Sequence, residues 1–142
     1  MSRSLLVRIA AVLALVTGMA HLAGTFMAVP VDQVAMHAAI ATMKSTMVPM
    51  PVGPARSYMQ ILDGNNLCTA LLLLVCAAQL FVLATAPGGR ATDRLLLITA
   101  VALAGFAMLS ALYFFPVPTA MTALAALLTV IGRTRLPRGT MA

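Results

Sequence analysis

The sequence predicts an all-α integral membrane protein: a four-helix bundle in a single domain over residues 1–142, with a short amphipathic helix between its first two spans. Three observations predict it. Of the 142 residues 62% are hydrophobic and 8% charged, with a mean hydropathy of +1.03, whereas a water-soluble globule carries about 25% charged and about 45–50% apolar residues. Apolar runs cover residues 5–28, 61–86, 95–115 and 117–131, divided by proline, glycine and polar residues, and about 20 apolar residues cross a ~30 Å hydrocarbon core. The basic residues lie in short segments around those runs.

The first span, 5–28, contains one charge, Arg8, close enough to its start for the side chain to snorkel to the interface. Its basic beginning and the small residues Gly18 and Ala20 also fit a secretory signal cleaved after Ala20. The apolar run continues past that point, which favours a retained span. Pro30 ends it, and a loop over 29–60 follows. Within that loop Met36, Ile40, Met43 and Met47 recur at helical spacing. With Asp32 at its positive end and Lys44 in a later turn, this segment reads as a short amphipathic helix on the membrane surface or over the bundle mouth. Pro49, Pro51, Gly53 and Pro54 then exclude regular structure and turn the chain back towards the bilayer.

The second span, 61–86, stops at Pro87, Gly88 and Gly89. The third, 95–115, is closed by Pro116 and Pro118, which leaves an uncharged turn before the fourth. At 117–131 the fourth rises only about 23–26 Å. It spans if its flanking residues snorkel or the bilayer thins; a re-entrant hairpin is the competing form. Cys68 and Cys76 lie about 12 Å apart along one helix, too far to bridge, and read as buried small residues. Thr99 with Ser110, and Thr122 with Thr129, share helix faces and read as packing, because such hydroxyls return their hydrogen bond to the preceding turn.

Charge sets the orientation. With both termini cytoplasmic, Arg3, Arg8, Arg90, Arg94, Arg133, Arg135 and Arg138 lie inside and only Lys44 and Arg56 outside, as the positive-inside rule requires. The 29–60 loop and its helix are then periplasmic. The net charge of +6 is thus a topology signal; the clustered basic face with interleaved aromatics that nucleic acid would need is absent.

Polar residues concentrate where the loop meets the second span. Arg56, Tyr58, Gln60, Asp63, Asn65 and Asn66 lie just before or in the first turns of that span, and an antiparallel first span would bring His21 to a neighbouring level. Ionisable groups within a membrane are costly and usually paired, so His21 and Asp63 are the candidate pair, with the other five as supporting ligand-binding residues. A carboxylate beside an imidazole fixes its tautomer and lets the pair accept or relay a proton. The plainer reading is that the two hydrogen-bond neighbouring helices together. His37, Met36, Met43 and Met47 carry thioether and imidazole donors suited to Cu(I), but the methionines share the apolar stripe of Ile40 and form no tight cluster. No nucleophile elbow supports a hydrolase.

The run Gly18, Met19, Ala20, His21, Leu22, Ala23, Gly24, Thr25, Phe26, then a Met-rich outer helix, then Arg56, Ser57 and Tyr58 before a Gly-containing span, resembles a family of small bacterial four-helix membrane proteins, DoxX-like in outline. The resemblance covers about residues 5–85. It implies a bacterial inner-membrane bundle in which His21 and residues 56–64 are the marked positions, and it brings no activity with it.

The expected function is therefore a membrane protein with a periplasm-facing polar pocket that binds a small amphipathic ligand, a quinone or lipid, or docks a membrane partner. A proton-coupled redox enzyme or carrier built on His21 and Asp63 is the second reading, and periplasmic copper handling the third. The expected partners are the bilayer, the ligand, and a second copy or another membrane protein; nucleic acid is not among them. The residues name neither a reaction nor a cofactor.

Overall fold

The computed structural model describes residues 2–113 and 116–134. Its elements are five helices, α1 (Arg3–Phe26), α2 (Val34–Ser45), α3 (Tyr58–Thr85), α4 (Arg90–Tyr113) and α5 (Pro116–Thr134), and a two-residue antiparallel pair, β1 (Met47–Val48) with β2 (Arg56–Ser57). Of these, α1, α3, α4 and α5 are long and apolar enough to cross a membrane.

Local chemistry moves several boundaries. Ser57 caps α3 by accepting from the Gln60 backbone N–H at 3.2 Å, while the Gln60 side-chain oxygen accepts from the Ser57 N–H at 2.9 Å. This reciprocal box satisfies two otherwise orphaned donors and starts α3 three residues before the apolar run. Pro116 does not simply close the preceding helix; it opens α5, where a missing N–H costs nothing. The fourth long helix is consequently one unbroken rod of 19 residues, about 28 Å. The short helix of the loop, α2, ends at Ser45, which leaves Met47 in β1. Of the expected stripe, only Ile40 and Met43 are half-buried, and no residue of α2 is fully buried. Prolines 49, 51 and 54 do stay outside regular structure, but the residues flanking them pair, and Gly53 takes the turn's positive φ of 91°. Phe114 and Phe115, at the end of the expected third span, and Arg135 and Arg138, two of the orienting charges, lie outside the described residues.

In packing, α1 lies between α3 and α5, antiparallel to both; α4 lies against α5; α3 and α4 scarcely touch. Small residues make the close approaches. Ala10, Ala11, Ala14, Ala77, Ala84, Ala125 and Ala126 are buried in one core with Val7, Leu73, Leu80, Leu96 and Leu103. A Cβ on Gly18 would stand 3.1 Å from the Leu73 Cβ, and one on Gly132 2.8 Å from the Val7 Cγ2. Helices in lipid associate through such contacts. Outward-facing positions such as Leu71, Leu72, Val82, Ile98, Val101 and Leu112 are apolar and more than 60% exposed, a surface that polar residues would cover in a water-soluble bundle.

One end of the bundle is fastened by arginine. The Arg3 guanidinium donates to the Ala86 and Leu83 carbonyls at 3.2 and 3.0 Å, closing the negative end of α3. Arg133 donates through Nε and a terminal nitrogen to both Asp93 carboxylate oxygens, at 2.8 and 3.1 Å, joining the last turn of α5 to the first of α4. At the opposite end the Thr119 hydroxyl of α5 donates to Ser110 Oγ of α4 at 3.1 Å, and there a cavity opens.

Candidate functional site

The cavity has a volume of about 300 Å³ and lies between three helices. From α1 come Thr17, Ala20, His21, Gly24 and Thr25; from α3, Asn66; from α5, Val117, Pro118 and Met121. Register explains why it exists. Val7 meets Gly132 and Thr17 meets Met121, the Thr17 Oγ1 lying 3.8 Å from the Met121 Sδ. Followed upward on that register, α5 runs out at Pro116, opposite residues 22–23 of α1, so nothing on α5 covers Gly24 and Thr25. A Cβ added to Gly24 would meet no atom within 4 Å.

The polar groups of the cavity differ in what they can offer. Thr17 and Thr25 donate their hydroxyl protons to the Leu13 and His21 carbonyls, at 2.8 and 3.0 Å. His21 is half-buried, and its ring stands perpendicular to Phe106 of α4, with centroids 5.9 Å apart. The Asn66 carboxamide makes no side-chain hydrogen bond among the described residues. Asn66 is opposite Thr25 on the register that the Gly18–Leu73 contact sets.

Of the residues singled out in the sequence, the structure brings together His21 and Asn66. The same register puts His21 opposite Ala70, and Asp63 level with residue 28, beyond the end of α1. Along the axis His21 and Asp63 are therefore ~10 Å apart, and Asp63 is not among the residues that line the cavity. Nor are Arg56, Tyr58, Gln60 and Asn65. Arg56 is exposed in β2, Tyr58 and Asn65 are exposed on α3, and the Gln60 side-chain oxygen is engaged in the cap. His37 lies 3.1 Å through Nε2 from the Pro30 carbonyl, across the turn that leads into α2; Met36 and Met47 are exposed and Met43 half-buried. Among the described residues no three His, Cys, Asp or Glu side chains group as metal ligands would. Cys68, expected to be buried, is exposed on α3, and Cys76 is half-buried; neither is bridged.

Thr17, Gly24 and Thr25 carry a sequence signal, since they share a small, polar side of the first span with His21. Val117, Pro118 and Met121 carry none: they become lining only through the length of α5 and its register against α1.

Fold and cavity together define a small helical protein with four helices of membrane-crossing length and a mostly apolar pocket at the end away from its arginine clamps. No protein-family model, curated protein or solved structure matches the chain.

Proposed function

We propose that this chain is a multi-pass protein of the bacterial inner membrane, both termini cytoplasmic, whose periplasm-facing cavity holds the headgroup of a small amphipathic ligand of quinone or lipid type. The observation that carries this reading is the cavity itself: about 300 Å³, with the His21 ring and the Asn66 carboxamide set in apolar walls. Ligand sites commonly combine apolar walls with a few convergent polar groups, and this volume is at the lower end of their range. The apolar outer surface supports membrane insertion. The placement of Arg3, Arg8, Arg90, Arg94 and Arg133 at the end opposite the β1–β2 turn supports the orientation.

Gly24→Leu tests it, because the added side chain projects into empty space within the cavity instead of into a packed neighbour. Wild-type protein purified in mild detergent should carry a near-stoichiometric small amphiphile, identified by mass spectrometry of the extract. The variant should elute identically and lose it. Retention of the same molecule by Gly24→Leu, or an empty wild type, overturns the reading.

A further inference from the structure

The chemistry lining the cavity narrows the ligand class, an inference that rests on the pocket reading above. No Asp, Glu, Lys or Arg is among the described residues that line it; Asp32, Lys44, Arg56 and Asp63, the charged residues between the end of α1 and the first turns of α3, all fall outside. A phosphate headgroup would have no arginine or lysine to neutralise it. An ammonium headgroup would have no carboxylate, and burying an unpaired charge is prohibitive. Among the described residues the one titratable side chain in the lining is His21, whose ring stands edge-on to Phe106 at 5.9 Å.

Hydrogen-bond direction narrows it further. With its proton on the His21 carbonyl, the Thr25 hydroxyl has only lone pairs left to offer. On the opposite helix at the same level, the Asn66 carboxamide has both N–H donors and its carbonyl available. A ligand hydroxyl satisfies both sides, donating to Thr25 Oγ1 and accepting from Asn66 Nδ2. An ether or ester oxygen can accept from Asn66 but leaves Thr25 facing another acceptor. Val117, Pro118 and Met121 supply the apolar wall along which a chain would run. We infer that this cavity selects an uncharged amphiphile bearing a hydroxyl group, held between Thr25 and Asn66.

The test uses the full chain in nanodiscs and three photoreactive probes of equal chain length: a diazirine-bearing dodecanol, its methyl ether, and the corresponding dodecyl phosphate. Crosslinked peptides are mapped by mass spectrometry. The alcohol should label the peptides around residues 17–25 and 117–121 about 3- to 10-fold more than the ether, as the loss of one hydrogen bond would give, and more than the phosphate. Thr25→Val, similar in shape, should remove the preference for alcohol over ether while leaving the melting temperature near that of wild type. Equal labelling by ether and alcohol, or strongest labelling by the phosphate, overturns the hydroxyl inference; if Gly24→Leu still abolishes that labelling, the pocket reading survives it. Labelling of these peptides that Gly24→Leu leaves unchanged overturns both.

Discussion

Thr17, Thr99, Thr122 and Thr129 are at most 2% exposed, yet each hydroxyl donates to the carbonyl four residues earlier, at 2.7–2.8 Å. A buried polar group is tolerated when its bond is made locally, so these threonines pack like small apolar residues, and this was legible from their spacing. The glycines were not. Gly18, Gly24 and Gly132 look alike in the sequence, but one faces a backbone-close leucine, one an open cavity and one a stiff β-branched valine. Alanine at each position gains up to ~1 kcal/mol of helix propensity, which overpacking of about 1–3 kcal/mol then opposes where a neighbour blocks the new methyl. In a thermal-shift assay on the detergent-solubilised protein, Gly24→Ala should melt at or above wild type, Gly18→Ala near it, and Gly132→Ala below. A Gly132→Ala that melts as high as Gly24→Ala would mean that the α1–α5 crossing is looser than the contact with Val7 indicates.

At the scale of elements, ends mattered more than interiors. The interiors of the long helices follow from hydrophobicity, and among the described residues each of the four apolar runs lies in a helix apart from at most two residues at its end. The ends depend on specific partners. Ser57 and Gln60 form a box whose spacing was visible in the sequence, and it brings Tyr58, Met59 and Gln60 into α3. Ser57→Ala should cost about 0.5–2 kcal/mol, seen as a lower melting temperature with the ligand content unchanged. The Asp93–Arg133 bridge had no sequence signal beyond two opposite charges 40 residues apart. Because it joins antiparallel helix ends with both charges suitably placed for the helix dipoles, Asp93→Arg and Arg133→Asp should each lower the melting temperature, and the double swap should recover part of that loss. No recovery would show that the pair does not fasten α4 to α5.

For the whole molecule, the arrangement is α3, α1, α5 and α4 in lateral order, clamped by arginine at one end and open at the other. The proposed orientation has a direct test. In a Cys68→Ser, Cys76→Ser background, a cysteine placed by Val52→Cys in the exposed β1–β2 turn should react with a membrane-impermeant maleimide on intact spheroplasts. One placed by Gly89→Cys between α3 and α4 should react only after lysis. The opposite pattern would invert the topology.

Composition and the spacing of prolines and glycines by themselves determined that this chain makes four long apolar helices, since burying or shielding so much hydrocarbon leaves few other forms. They also marked the end of α1 around His21 as its polar, small-residue side. Only the tertiary structure decided which polar residues share a cavity. That depends on the axial register of packed helices, where a shift of ~10 Å separates Asp63 from His21 and a short α5 uncovers Gly24. Registers are set by individual contacts such as Gly18 on Leu73 and Gly132 on Val7, and no periodicity within a single helix contains them.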